Sequence, residues 1–373
     1  MKDDASRFFA QSYTQARQQF LAAAQAAGLQ VESHAHPLKG RDGEDLAMDV
    51  ARFGPADAKA LLLISSACHG VEGFCGSGVQ NALLADVGET AEGADGGFHA
   101  AAARSGVAVL YVHALNPYGF SWWRRVTQEN VDLNRNWHDF SAPLPRNTAY
   151  DAIAPQVIPP TWPPVPENEA VLADYAARQG ERGLQAAITA GQYAHPQGLF
   201  FGGAAPTWSR LTLERVLQQH GKRCERLGWI DLHTGLGPNG HGERIFACRD
   251  DAAALQRARA WWGADVTSIY DGSSTSALLT GLMWMGAYQH CPQAEYTGIA
   301  MEYGTVPVPE VIDALRAEQW LQLHPDAPAE QQHAIKQRFR DAFYTDTPAW
   351  KQQIVAQGLE AARQAVAGLA AAR

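Results

Sequence analysis

Two histidines and two glutamates fall where apolar runs of this chain give way to small or turn-forming residues. Residues 61–64, Leu-Leu-Leu-Ile, suit a buried parallel strand. A run of small residues leads from it into His69-Gly70-Val71-Glu72-Gly73. An imidazole and a carboxylate three residues apart, on a turn after a strand, can both reach one metal ion. Residues 228–233 form a short strand ending in His233, and residues 298–305 a strand with Glu302 close to its end. Open α/β sheets place their ligands at the carboxyl ends of strands. Two His and one carboxylate are a ligand set for a catalytic zinc with an open position. A further carboxylate then serves as base towards water at the metal. Spacing alone is not specific for this chemistry. His-x-x-Glu arises by chance in many chains, and a lone strand-end His is more often a hydrogen-bonded structural residue.

The elements that must hold these residues follow from periodicity. Residues 6–27 carry apolar side chains at helical spacing and end at Gly28, where a helix C-terminus favours glycine. Residues 46–53 alternate as a strand near an edge does, and residues 106–113 form a second buried strand that ends in a turn over 114–120. From Gly78 the chain returns as a helix, and the Gly- and Ala-rich stretch 87–105 forms a loop with a short helix. Residues 143–166 hold eight prolines, which excludes regular structure and predicts a path over the surface. Helices are expected over 167–180, 181–190, 211–227, 251–263, 308–323, 328–344 and 350–372. The loop 191–209 between them, rich in glycine and aromatics, reads as an ordered lid or site wall. Strands alternating with helices predict an α/β fold: a mixed, mostly parallel twisted sheet with helices on both faces. The expectation is one domain over 1–373, with loop insertions at about 140–210 and a C-terminal helix at 350–372.

Bulk properties narrow the class. The 373 residues are 46% hydrophobic and 18% charged, and carry a formal net charge of −9. That balance suits a globular protein and argues against a nucleic-acid partner. No apolar run approaches the ~20 residues of a membrane span, and the first residues carry acids where a signal peptide carries bases. A cytoplasmic location without membrane contact is expected. The five cysteines, 68, 75, 224, 248 and 291, are odd in number and never form a CxxC pair. They read as reduced packing residues, with neither a disulfide framework nor a cysteine zinc knot.

Five blocks in sequence carry a resemblance: HGVEG at 69–73, NPYGF at 116–120, RRVTQENVDLNRNW at 124–137, DLHTGLG at 231–237 and MEYGT at 301–305. With them the chain resembles the zinc carboxypeptidase superfamily, peptidase family M14, and within it the DUF2817 branch. The resemblance implies one zinc per chain, held by His69, Glu72 and His233, with Glu302 as general base and acid. It implies Arg125 as the oxyanion-stabilising arginine, with Arg124 as runner-up, and Asn134 and Arg135 as the pair that holds a free substrate carboxylate. The physical roles agree. An Arg aimed at a developing oxyanion is worth roughly 3 kcal/mol, and a guanidinium grips a carboxylate with two parallel hydrogen bonds. Asp231 shares a strand face with His233 and reads either as a partner for its imidazole or as a solvated or capping residue. His113, His138 and His195 read as structural, with His195 the one of the three placed to touch substrate. Trp122, Trp123 and Trp137 read as core or site wall.

The sequence departs from the family pattern in one respect. The catalytic tyrosine of better-known members has no match, since position 280 is Thr and Tyr270, Tyr288 and Tyr296 do not align with it. The expected activity is hydrolysis of an amide or peptide bond next to a free carboxylate, on a small peptide or acyl-amino-acid substrate. The alternative is an aspartoacylase-like deacylase of N-acyl amino acids or other small amides. A non-catalytic binding protein with the same fold is opposed by the complete ligand set. The C-terminal helix either packs on the core or forms a contact in a homo-oligomer.

Overall fold

A computed structural model describes residues 4–86 and 96–371. In it the apolar runs become neighbours in one seven-stranded sheet. Its strands are β1 (Val31–Lys39), β2 (Asp45–Phe53), β3 (Ala60–Ser66), β4 (Val107–His113), β5 (Arg226–Thr234), β6 (Gly242–Phe246) and β7 (Glu295–Tyr303). The order across the sheet is β1-β2-β4-β3-β5-β7-β6. The middle, β4-β3-β5-β7, is parallel. Antiparallel pairings add β2 and β1 on one side and β6 on the other. Every residue of β3 and β4 is buried, as continuous apolar strands covered on both faces must be. The helices Gly73–Ala85 and Pro348–Ala371 both pack on β3 and β5.

Register places the chemistry. His233 of β5 lies opposite Glu302 of β7. β3 ends in step with β5, Ser66 opposite Leu232, and His69 follows three residues later. The carboxyl ends of three adjacent parallel strands thus present both histidines and both glutamates.

The turn after β3 depends on close packing at glycine. A Cβ on Gly70 would stand 2.1 Å from the Gly119 carbonyl carbon, and one on Gly76 would stand 2.6 Å from Ser66 Cβ. Missing side chains let the turn press against the 116–120 segment and let the following helix press against β3. Backbone bonds from Gly70 N to Arg125 O (3.0 Å) and from Val71 N to Arg124 O (2.9 Å) complete the arrangement. They tie the Arg-Arg segment beside the turn.

Several boundaries differ from the sequence expectations. The first helix is split into a short turn, Ala5–Phe8, and the helix Tyr13–Ala26, because Ser12 caps a new start through its side chain. The helix expected over 211–227 is Trp208–Gly221, and the chain is already in β5 at Arg226. The proline-rich segment holds two single-turn helices, Thr148–Asp151 and Ala154–Val157. Its Tyr150, Ile153 and Val157 are buried, so apolar side chains anchor a passage expected to run over the surface. Of the stretch 87–105, residues 87–95 lie outside the described residues, and its short helix is Phe98–Arg104. The C-terminal helix ends at Ala371, with residue 372 outside the described residues. All five cysteines are free and buried. Among the described residues, no helix is long and apolar enough to cross a membrane.

Candidate metal centre and its cleft

Three donors converge where the strands end. His69 Nδ1 lies 3.2 Å from Glu72 Oε1, His233 Nδ1 lies 3.1 Å from Glu72 Oε2, and the two Nδ1 atoms are 3.2 Å apart. Donors about 2.0–2.1 Å from one tetrahedral ion stand about 3.3–3.4 Å from each other, and these contacts, which use both oxygens of Glu72, are close to that spacing. All three residues are buried. Each imidazole turns its other nitrogen to a carboxylate: His233 Nε2 to Asp231 Oδ2 at 2.5 Å, and His69 Nε2 to Asp132 Oδ1 at 3.2 Å. His69 Nε2 is shared between Asp132 and an Arg125 N–H at 2.8 Å, whereas at His233 the carboxylate at Nε2 favours the tautomer whose Nδ1 lone pair faces inward, the usual support for a metal-ligating histidine. Asp231 is thereby identified as the imidazole's partner. Its other oxygen accepts from Ser65 Oγ at 2.5 Å, so although Cys68, Asp231 and His233 also lie within mutual reach, Asp231 is fully engaged as support. The donor set fits a divalent ion.

The charges agree with this fit. Burial alone would raise the Glu72 carboxyl, but His69 and His233 outweigh it and hold Glu72 well below the usual carboxylate range. Burial alone would lower His233, but Asp231 and then Glu72 raise it well above its ordinary value. Asp132 is held low against its burial by Arg125 and His69. Carboxylates that favour a proton on an imidazole also favour a cation in the proton's place, so metal and protons compete here. Glu302 differs: burial, then the charge of Glu72, push it up to about 8. A cation bound by Glu72 and the histidines would lower it.

Arg125 and Arg124 part ways although adjacent. Arg125 donates from Nε to Asp132 Oδ2 (2.9 Å) and from Nη1 to Glu72 Oε1 (3.3 Å), and Nη2 lies 2.8 Å from His69 Nε2. It lines the cleft. Arg124 points away, donating from Nε to Glu318 (3.2 Å) and from Nη2 to Gln319 (3.0 Å). Asn134 and Arg135 line the same cleft, on the turn Leu133–Arg135 that Asp132 caps through the Asn134 N–H. Asn134 Oδ1 accepts from Met283 N at 2.9 Å. Arg135 commits three N–H groups to the carbonyls of Thr189 and Asn134, out of the five a guanidinium carries. Glu302 Oε1 accepts from Leu236 N at 3.0 Å.

The cleft is walled mainly by apolar side chains. Trp229, Trp284, Phe343 and the helix Val308–Leu323 contribute to these walls. Sequence reasoning missed them, and it missed Asp132, which lies inside the 124–137 block. The expected site wall 191–209 contributes Phe200, held at φ +52° with Arg125 and Arg135 against its ring at 4.9 and 5.5 Å. His195 does not line this cleft. It pairs with Asp151 at 2.9 Å in a separate surface depression. His138 meets Thr280 Oγ1 at 3.0 Å and His113 meets Ser77 Oγ at 3.0 Å, both away from the cleft. Trp122, Trp123 and Trp137 do not line it either.

A family model described as protein of unknown function (DUF2817) matches residues 9–357. No curated protein matches the chain. Among solved structures, carboxypeptidase A from Helicoverpa armigera aligns at TM-score 0.50 and 14% identity, over 97% of this chain and 74% of that one. Thrombin-activatable fibrinolysis inhibitor aligns at TM-score 0.53 and 10% identity, over 99% of this chain and 79% of that one. At such identities the likeness is one of fold, and the fold is that of carboxypeptidases.

Proposed function

The chain belongs to the DUF2817 family, whose function is unknown, and from its site we propose that it is a zinc-dependent hydrolase of amide bonds next to a free carboxylate. One observation carries the proposal: the triangle of His69, Glu72 and His233 donors at 3.1–3.2 Å, with the carboxylate of Glu302 in the same cleft. The fold shared with a carboxypeptidase A supports it.

Bound zinc would supply Lewis acidity, polarising a carbonyl and making water acidic near neutral pH. The chain's residues do the rest. Glu302 Oε1 is held by the Leu236 N–H, which leaves Oε2 to take the proton of the attacking water and pass it to the departing amine. Arg125, fixed by Asp132 and Glu72, presents its guanidinium where the carbonyl oxygen gains charge. Asn134 and Arg135 meet the substrate carboxylate, and the N–H groups that Arg135 does not spend on backbone carbonyls are those that bind it. Asp132 and Asp231 keep both imidazoles oriented.

The test is hydrolysis of small carboxylate-bearing amides by zinc-loaded protein, with a chelator control and Glu302→Gln. Turnover lost to chelation, restored by zinc, and reduced 10²–10⁴-fold in Glu302→Gln is the expected result. Turnover indifferent to both would refute the proposal.

A further inference from the structure

The walls of the cleft discriminate between the two kinds of substrate that a carboxylate-directed amide hydrolase can take. This inference rests on the hydrolase reading and goes on to the substrate's class. Two apolar regions flank the polar residues. The inner one includes Ile245, Phe246, Leu282 and Met283. It adjoins the carboxylate-binding pair, since Met283 N bonds to Asn134 and a Cβ on Gly281 would stand 2.3 Å from Arg135 O. The outer one is built by Val308, Val311, Ile312 and Leu315 with Phe343. Their spacing, i, i+3, i+4, i+7, puts the four on one stripe of the helix Val308–Leu323. Leu315 shares a second crevice with Arg125, and Phe343 lies 3.2 Å from where a Gly235 Cβ would be, close to Glu302. An amide with its carboxylate at Arg135 therefore lays its amino-acid side chain in the inner region and its acyl part along the outer one.

A dipeptide would bring an ammonium group into that outer region. Among the described residues lining the cleft, the acids are Glu72, Asp231 and Glu302. Glu72 faces both histidines, and Asp231 is taken up by Ser65 and His233. An ammonium on Glu302 would occupy the oxygen the reaction needs. Glu318, which lines the second crevice with Leu315 and Arg125, is already paired with Arg124 (3.2 Å) and Lys336 (2.6 Å). Burying an ammonium against an apolar wall without a partner is strongly unfavourable. We propose that the outer region takes a neutral, apolar acyl group, so that the substrates are N-acyl amino acids with apolar side chains and not dipeptides with a free amine.

A matched pair tests this: hexanoyl-leucine and norleucyl-leucine, which differ only by the amine. Zinc-loaded enzyme is assayed for kcat/KM on both, and titrated calorimetrically with their uncleavable ketomethylene analogues. The expected result is at least a tenfold preference for the hexanoyl compound in rate and in binding, with the gap closed in Ile312→Asp. Ile312 is half-buried, so this variant is placed to fold. Equal or tighter binding of the amine analogue, or binding of neither, overturns the inference. If Glu302-dependent turnover is then still seen, the hydrolase reading survives. Tighter binding of the hexanoyl analogue with cleavage of neither amide upholds the acyl region and refutes the hydrolase reading.

Discussion

Asp132 holds two of the proposed catalytic groups at once, His69 through Nε2 and Arg125 through Nε. Asp231 holds His233 alone. The two should fail differently. Asp231→Asn should weaken zinc binding 10–100-fold, the usual consequence of losing an imidazole's outer partner. Asp132→Asn should do the same and should also lower kcat at saturating zinc, because Arg125 loses the closer of its two carboxylate partners. Zinc titration with a competing chelator, followed by kinetics at full loading, separates the two effects. At this scale His233 and Glu302, near the ends of apolar runs, and His69 and Glu72, on the turn after one, stood out in the sequence, but only the family resemblance gave them roles. It could not reveal Asp132, whose role arises because bonds from Gly70 and Val71 to the Arg124–Arg125 backbone bring two distant segments together. Nor could it separate Arg124 from Arg125, since only the position of the helix carrying Glu318 decides which of them turns inward.

The turn after β3 is the element on which the centre depends. Gly70→Ala would push a methyl group into the Gly119 backbone, where no flexible side chain can yield. Overpacking of this kind costs about 1–3 kcal/mol. Denaturant unfolding should show a loss at or above the upper end of that range, together with weakened zinc binding. Stability unchanged within about 0.5 kcal/mol would contradict the packing described. The buried parallel strands were legible because both faces are covered and the run must be apolar throughout. β1 and β6 were not. β1 is an edge strand, mostly exposed and interrupted by Pro37, and β6 has only five residues, Gly-Glu-Arg-Ile-Phe, among them two charged side chains. Their pairing is set by neighbours, which local pattern does not record.

Over the whole molecule, two equilibria should couple to folding. His113 is fully buried at the end of β4, against Ser77 and the Phe20 ring, whose centroid is 4.6 Å away. Burial lowers it to about 4, whereas an unfolded histidine titrates near ~6.5. Between those values the unfolded chain binds the extra proton. The stability due to a neutral His113 is therefore complete above pH ~6.5 and is lost as pH falls towards 4, by about 3 kcal/mol. His113→Asn should flatten that part of the pH–stability curve relative to the parent, and an unchanged acid limb would contradict the assignment. Zinc is the second equilibrium. Binding only the folded chain, it should add about 4 kcal/mol at a thousandfold excess over Kd. The fold's general plan, a mixed sheet with its site at the strand ends, could be read from strand–helix alternation. The cleft walls could not, because they come from segments as far apart as Phe200 and Phe343 that only the folded chain brings together.

Everything proposed rests on one ion bound by three residues, and elemental mass spectrometry of the purified protein measures that directly. About one zinc per chain is expected after loading and removal of excess, absent in both His69→Ala and His233→Ala while each variant keeps the parent's circular dichroism spectrum. No bound transition metal in the parent, or full occupancy in either folded variant, would contradict it.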